Sequence, residues 1–139
     1  MTQKLVEYFN KRPRLGTLST ADKNGKVNCA YFGSPQMIDE KTIVMGSGKN
    51  RTLANLQENP YGVFLVMEPG KALPEWKGVR IYVKMTDCQT SGPKLDNIKA
   101  QIAKAAGESA AKIIQAALTF EIEEVRPLAD FGQGWEKAI

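Results

Sequence analysis

The segment from Val44 to Leu56 reads VMGSGKNRTLANL and concentrates residue types that bind anions. Its two glycines would let the backbone approach a ligand closely, because glycine has no Cβ. Asn50 suits the N-cap position of the helical pattern that follows, so free N–H groups would point back into the loop. Lys49 and Arg51 add charge and donors at the same place. Together these are the components of a phosphate site.

The alternative interpretation of this loop is a plain turn with a solvated lysine and arginine. The glycine spacing matches neither the G-x-x-x-x-G-K-[ST] loop nor the G-x-G-x-x-G fingerprint. The sequence contains no histidine and only two cysteines, Cys29 and Cys88. The commonest general base and metal ligand are therefore missing. We predict no metal site and assign no catalytic side chain, and we expect any chemistry to need a cofactor.

Composition places the chain among soluble globular proteins. It has 139 residues, of which 42% are hydrophobic and 24% charged, so residues 1–139 are predicted to form a single domain. No apolar run is long enough to span a membrane, and the N-terminal residues lack the apolar segment of a signal peptide. We therefore expect a cytoplasmic protein. The net charge of +4 suits an anionic small molecule, and there is no block of basic residues.

The hydrophobic pattern predicts a mainly β protein with peripheral helices. Six or so hairpin-linked strands would close into a small antiparallel barrel, which removes exposed edges. The Asn24-Gly25 pair predicts a hairpin turn, since both residues tolerate positive φ. The predicted strands begin near residues 15, 27, 42, 61, 79 and 118. The predicted helices are Thr2–Arg12 (ended by Pro13), Thr52–Asn59, and Pro93–Leu118, broken at 107–109 with Ser109 as N-cap of its second part.

Several single residues have a simple structural interpretation. Cys29 is expected to be a small buried side chain, and Cys88 is expected to be similar. Arg80 and Lys84 alternate outward on their strand and are expected to be solvated, although they could help to hold an anion. The acidic residues at 121, 123 and 124 are expected to form a solvent face. The run YGVFLVM, residues 61–67, is apolar on both faces, which suggests that a second subunit covers one of them.

The order of these motifs resembles the pyridoxamine-phosphate-oxidase-like family, the flavin-binding split barrels. The resemblance covers residues 14–88 well and the remainder loosely, and the most similar members are the small single-domain FMN-binding proteins. It is carried by the segments GTLST at 16–20, Asn24-Gly25, GKNR at 48–51, and ANLQENP at 54–60. The resemblance implies a six-stranded Greek-key split barrel that binds FMN and forms a homodimer with the flavin pocket shared between subunits.

The resemblance also implies which residues hold the flavin. The loop would bind the phosphate, with Arg51 where the family usually has lysine. The second strand would follow the isoalloxazine ring, and the C-terminal tail could cover a flavin of the partner subunit. The alternatives are that Tyr31 and Phe32 are core or interface residues, that Trp135 and Phe131 pack on their own barrel, and that Trp76 is a loop anchor rather than part of the site rim. The implied FMN-binding residues are Ala30, Tyr31, Phe32, Gly33, Ser47, Gly48, Lys49, Asn50, Arg51, Thr52 and Trp135.

The sequence departs from the true oxidase. It has no histidine for the family's C-terminal Arg-x-His, and the strand VNCAYF, residues 27–32, lacks basic residues. Pyridoxamine phosphate is therefore not the expected substrate, which leaves a flavin oxidoreductase or a small electron carrier with a small-molecule or protein redox partner. Two alternatives stay open: the same barrel binding a deazaflavin-like phosphorylated cofactor, or a barrel that binds single-stranded nucleic acid through aromatics and a basic groove. Mild basicity argues against the latter, and we expect no nucleic-acid or membrane partner.

Overall fold

The computed structural model describes residues 2–12 and 15–139 as one antiparallel sheet with helices around it. Pro13, predicted to end the first helix, lies outside the described residues. Two short 3-10 helices, Leu73–Glu75 and Trp135–Lys137, complete the elements. The helices and strands, in chain order, are α1 Thr2–Asn10, β1 Leu15–Ala21, β2 Val27–Tyr31, β3 Gln36–Asp39, β4 Thr42–Ser47, α2 Arg51–Glu58, β5 Tyr61–Glu68, β6 Lys77–Gln89, α3 Pro93–Ala106, α4 Glu108–Lys112 and β7 Ala116–Pro127.

The strand order shows that the sheet is rolled into a barrel. The order is β2-β1-β5-β6-β7-β4-β3, and every neighbouring pair is antiparallel. In a flat sheet the two edge strands, β2 and β3, would lie about 29 Å apart, six spacings of about 4.8 Å. The chain passes from Tyr31 to Gln36, a distance of at most about 18 Å when extended. The two edges must therefore approach each other.

The core fills the inside of this barrel. Phe64 lies at its centre and makes edge-to-face contacts with Phe9, at 5.8 Å between ring centroids, and with Phe120, at 5.4 Å. Alternating residues of β6, Val79, Ile81 and Val83, are fully buried beside them. This confirms the predicted half-buried alternation of that strand. Three strands, β5, β6 and β7, thus share one core with α1.

Two local predictions near the site are confirmed, and so is one on the last strand. The turn between β1 and β2 contains Gly25 at φ 83°, whereas Asn24 has a negative φ, so the turn needs only the glycine. The second helix begins at Arg51, one residue before the predicted start, and Asn50 is its N-cap. The acidic residues at 121, 123 and 124 are exposed, as the alternation of their strand predicts.

Two predictions about the elements are wrong. The sheet has seven strands rather than six, because residues 36–39, where no strand was predicted, pair with β4 as β3. The helical segment expected to reach Leu118 ends at Lys112, because Ala116 to Leu118 pair with β4 at the start of β7. Burial in the sheet outweighs the helix propensity of the two alanines. Ser109 lies inside α4, and Gly107 takes the N-cap position instead.

Two predictions about burial are also wrong. Cys29 is exposed because β2 is an edge strand and Cys29 lies on its more exposed face, together with Val27 and Tyr31. Cys88 is partly buried. Arg80 is not simply solvated, because its Nε donates to the carbonyl of Pro127 at 2.9 Å and its Nη2 contacts Asp130 Oδ1 at 2.6 Å.

The strand β5 has one covered face. Gly62, Phe64 and Val66 are buried, while the residues between them are partly exposed. Across residues 2–12 and 15–139, none of the helices has the length and apolar character that a membrane crossing requires.

Candidate functional site

The segment that joins β4 to α2 runs beside β2 in the opposite direction. At one end, the Ser34 hydroxyl, just after β2, donates to the carbonyl of Gly46 at 3.2 Å. At the other end, Arg51 and Val27, the first residue of β2, line the same cleft. The structure therefore brings together the ends of the two segments that the sequence assigned to one ligand, and the surface between the segments is called here the trough.

The start of α2 is held rigidly by its N-cap. The side-chain oxygen of Asn50 accepts the N–H of Leu53 at 2.9 Å. The Ser47 hydroxyl donates to the carbonyl of Gly48 at 3.0 Å, and it lies 3.5 Å from the same Asn50 oxygen. Because these bonds fix the last turn before the helix, the N–H groups of the first helical turn keep one direction, toward the end of the trough.

Exposure divides the predicted loop residues into two groups. Lys49, Asn50 and Arg51 are exposed, so their side chains can reach a ligand. Ser47 and Thr52 are 1% and 2% exposed, so their hydroxyls face the protein interior. Phosphate binding by the six residues from Ser47 to Thr52 stays a prediction.

The glycines of the loop have a structural reason that the sequence did not reveal. A Cβ on Gly46 would lie 2.8 Å from the side chain of Ile98 on α3 and 3.0 Å from that of Ile114. A Cβ on Gly48 would lie 2.9 Å from the carbonyl oxygen of Ile113. The space that these glycines leave is filled by the chain itself, on the side covered by α3 and α4. The expectation that the missing side chains make room for a ligand is therefore corrected.

The second predicted segment, Ala30 to Gly33, follows the other wall of the trough. Tyr31 is 64% exposed, whereas Phe32 packs partly buried against the core, so the two rings do not form one wall within the chain. Among the strands of residues 2–12 and 15–139, β2 pairs only with β1. Its other edge therefore presents unpaired backbone N–H and C=O groups, which are suitable partners for the polar edge of a planar ring.

Trp135 lies at a different place in the chain. It packs partly buried against its own core, and the tail around it is held by a 2.7 Å hydrogen bond from Gly78 N–H to the carbonyl of Ala138. Gly78 lies beside the C-terminal end of β7, whereas Ser47 pairs with the N-terminal end of that strand. The tail that carries Trp135 and the loop that contains Ser47 thus lie beside opposite ends of β7. Its prediction as a residue that covers the flavin of a partner subunit is untested.

Four residues beside Arg51 were not predicted from the sequence. A cleft of about 230 Å³, which we call the Arg51 cleft, lies between the β1–β2 hairpin and α2. Asn55 is 6% exposed, and its amide donates to the hydroxyl of Thr20 at 3.1 Å. The missed residues could have been found only from the packing of α2 against the hairpin, which no local pattern shows. The Arg51 cleft is lined by Asp22, Lys26, Val27, Arg51 and Asn55.

The rolled seven-stranded antiparallel sheet and the trough along its edge strand define a split barrel with a candidate binding site for an elongated anionic ligand. The sequence matches the model of the pyridoxamine 5'-phosphate oxidase family over residues 1–129. This chain belongs to that family.

Solved structures of similar fold have different ligands in their names. An FMN-binding protein from Syntrophomonas wolfei subsp. wolfei is 28% identical, with a TM-score of 0.83 over 94% of this chain and 87% of that one. HutZ, a heme storage protein from Vibrio cholerae, is 18% identical, with a TM-score of 0.62 over 89% and 92%. An F420 reductase is 13% identical, with a TM-score of 0.63 over 86% and 94%. A search of curated protein sequences gave no significant match.

Proposed function

We propose that the protein binds FMN in the trough between β2 and the start of α2 and serves as a flavin oxidoreductase or small electron carrier. The observation that carries this proposal is Arg51, an exposed guanidinium that forms no ion pair in the described part of the chain and stands at the end of that trough. The 28% identical relative is named as an FMN-binding protein, which supports the same cofactor.

The residues present fit the two ends of FMN. At the phosphate end, Arg51 can contact two phosphate oxygens at once, and the capped start of α2 adds N–H groups and the positive end of the helix dipole. At the ring end, the free backbone edge of β2 near Tyr31 can donate to and accept from the ring heteroatoms. The bound flavin would supply hydride or electron transfer, and the protein would position it and limit access of water.

A second copy of the chain is the proposed cover for the outer face of the sheet. Val27 is 78% exposed and Tyr61 51% exposed, and both line an apolar groove of about 290 Å³ on that face. Val63, also in this groove, is partly exposed. Such a face on a small protein is typical of a subunit interface. A homodimer would bury it and place a second chain against β2, the strand assigned to the flavin ring.

The absence of histidine favours FMN over haem for this chain. Histidine is the commonest protein ligand of haem iron, and none occurs in the sequence. The same absence, together with the lack of basic residues in β2, argues that pyridoxamine phosphate is not the substrate. A deazaflavin such as the cofactor named in the F420 reductase relative remains the direct competitor for the trough.

A binding titration tests the cofactor proposal. The protein, freed of any bound flavin by mild denaturation and refolding, is titrated with FMN, riboflavin, F420 and haem, following flavin fluorescence or the visible spectrum. We expect saturable binding of FMN and much weaker binding of riboflavin, which lacks the phosphate. Equal affinity for FMN and riboflavin would contradict the phosphate clamp, and tighter binding of F420 would replace FMN as the cofactor.

The dimer is tested separately by sedimentation. Leu65 on the outer face of β5 is changed to Glu, with Glu121→Gln on the exposed face of β7 as control. We expect the wild type and the control to sediment as dimers, and L65E to sediment as a monomer that binds FMN more weakly. If the wild type is a monomer and still binds FMN saturably, the second subunit is not part of the site.

A further inference from the structure

A second cavity lies beside the C-terminal end of β7. Its volume is about 450 Å³, which is within the size range of small-molecule pockets, and we call it the tail cavity. One wall comes from the loop that joins β5 to β6, and the other comes from the chain that follows β7. The tail cavity is lined by Leu73, Pro74, Trp76, Leu128, Ala129, Phe131, Gln133, Lys137 and Ala138.

The first wall is braced by hydrogen bonds inside its own loop. The N–H of Trp76 donates to the carbonyl of Leu73 at 3.2 Å, which closes the 3-10 helix that contains Pro74. The N–H of Lys71 donates to Glu75 Oε1 at 3.2 Å. These bonds hold Leu73 and Trp76 in place on one side of the tail cavity.

The second wall is braced by the side chain of Gln133. Its Oε1 accepts the N–H of Phe131 at 2.8 Å, and its Nε2 donates to the carbonyl of Ala129 at 3.0 Å. Further along the tail, Lys4 Nζ donates to the carbonyl of Glu136 at 2.9 Å. Because both walls are fixed before a ligand arrives, binding in the tail cavity requires little ordering of the backbone.

The walls expose an unusual amount of apolar and aromatic surface to the solvent. Phe131 is 84% exposed, Leu73 83% and Trp76 39%. Neither of the two rings pairs with another aromatic ring in residues 2–12 and 15–139. Clustered apolar exposure of this kind marks a binding site, and unpaired ring faces favour a planar aromatic ligand.

The charge at the tail cavity is positive. Among the described residues that line it, only Lys137 is charged, and its side chain is exposed. The ammonium group of Lys137 forms no ion pair in the described part of the chain. The neighbouring acid Asp130 does not line the cavity, and its carboxylate already contacts two arginines. The tail cavity therefore favours a ligand with one negative charge.

We propose that the tail cavity binds a planar aromatic carboxylate, with the rings of the ligand against Trp76 and Phe131 and its carboxylate on the ammonium group of Lys137. This site goes beyond the proposed function and does not rest on it, because the tail cavity and the Arg51 cleft share no lining residue. The match to the family model ends at residue 129. The part of the site that Phe131, Gln133 and Lys137 form is therefore a feature of this chain's own tail.

The role of Lys137 is tested by Lys137→Gln, with Lys71→Gln as the matched control. Lys71 lies in the loop of the first wall but does not line the tail cavity. Calorimetric titration of the full-length protein measures its affinity for 2-naphthoate and for the neutral analogue 2-naphthamide. We expect the wild type to bind 2-naphthoate saturably and more tightly than the amide. K137Q should weaken 2-naphthoate binding about fivefold and leave the amide unchanged, and K71Q should stay within about twofold of the wild type.

The role of the aromatic wall is tested by Phe131→Ala, with Ile113→Ala as the control. Ile113 is also a largely exposed apolar side chain, at 66%, and it lies outside the tail cavity, so neither variant is expected to unfold. F131A should weaken the binding of 2-naphthoate and of 2-naphthamide about tenfold each, because both present the same rings. I113A should leave both affinities unchanged.

The outcomes separate the parts of this inference. Wild-type protein that does not bind 2-naphthoate saturably, or binding that neither K137Q nor F131A weakens, overturns the site. Equal affinity for 2-naphthoate and 2-naphthamide overturns the role of Lys137 and the choice of a carboxylate. Sedimentation of the wild type and F131A tests a different occupant: a wild-type dimer that F131A dissociates would show that a second copy covers the cavity, and would overturn the small-molecule site. Failure to bind FMN would overturn the proposed function alone.

Discussion

Two groups of cationic side chains on this barrel differ in whether the protein itself supplies their counter-charges. In the cluster that joins β6 to the tail, called here the tail cluster, Arg80 contacts Asp130 at 2.6 Å and Arg126 contacts it at 2.9 Å. Arg126 also contacts Glu124 at 3.3 Å. In the Arg51 cleft, neither cation has an ion-pair partner in the described residues. Arginine thus forms ion pairs within the protein in the tail cluster, and it remains available to an anion in the Arg51 cleft.

The comparison separates two uses of a basic residue that composition cannot distinguish. A paired arginine contributes to folding, so its removal should change stability and leave ligand affinity alone. An unpaired arginine at the mouth of a cleft contributes little to folding, so its removal should change affinity and leave stability alone. The predictions below test this division.

The largest effect is expected for Arg51→Ala. Loss of the two-pronged contact with phosphate should weaken FMN binding ten- to a hundredfold, on the order of 1.4 to 3 kcal/mol, while thermal stability changes little. Fluorescence titration and thermal unfolding measure the two quantities. Arg126→Ala in the tail cluster is the control, and it should leave FMN affinity unchanged. Equal FMN affinity in R51A and wild type would refute the phosphate clamp.

A smaller effect is expected from pH. FMN affinity and the stability contributed by the tail cluster should change over different pH ranges. The second ionisation of a phosphate monoester has a pKa of about 6, so FMN affinity should fall about fivefold between about pH 7 and pH 5. In the tail cluster, the hydrogen bond from Arg126 lowers the pKa of Asp130. A lowered pKa in the folded state means that the stabilisation is present at neutral pH and is lost as the pH falls through that lowered value. Unfolding curves should therefore show no loss from the cluster at pH 5 and a loss only below pH 4 or so.

Arg80→Ala should lower the free energy of unfolding by about 1 kcal/mol. The side chain is 23% exposed and bonds both to Asp130 and to the carbonyl of Pro127, so its removal leaves that carbonyl without its donor. Urea unfolding followed by tryptophan fluorescence measures the change. Arg80→Lys keeps the charge but not the planar set of guanidinium N–H donors, and it should recover part of the lost free energy of unfolding. A change in FMN affinity without a change in stability would contradict the comparison.

The smallest effect is expected from salt. Raising NaCl from about 0.1 M to about 1 M shortens the Debye length from about 10 Å to about 3 Å. FMN affinity should then fall about threefold, whereas riboflavin affinity should not, since only FMN brings charge to the Arg51 cleft. The midpoint of thermal unfolding in the absence of flavin provides the control. Equal salt dependence for both flavins would place the phosphate outside the cleft.

Local patterns predicted the parts of the site that local chemistry determines. Asn50 was identified as a cap because it precedes leucines at helical spacing, and its side chain does accept the N–H of Leu53. The Asn24-Gly25 pair predicted the hairpin, although only Gly25 takes positive φ. In both cases the interacting groups are close in sequence, so the residue types alone specify the geometry.

Contacts between distant segments accounted for the errors. Gly46 was assigned to a ligand because the sequence does not show that Ile98 of α3 packs against it. Lys26 was missed because only the packing of α2 beside the hairpin places it in the cleft with Arg51. The start of β7 was assigned to a helix because alanine favours helices, and its pairing with β4 is a long-range property. Cys29 was expected to be buried because the sequence did not identify β2 as an edge.

The position of β7 has a consequence for the order of folding. This last strand pairs on one side with β6 and on the other with β4, so it lies inside the sheet rather than at an edge. During synthesis, β3 and β4 can form their hairpin early, but they join the remaining strands only when residues 116–127 have left the ribosome. Until then the open edges of β4 and β6 are available for pairing with other chains. We therefore expect aggregation during folding to depend on how fast β7 docks.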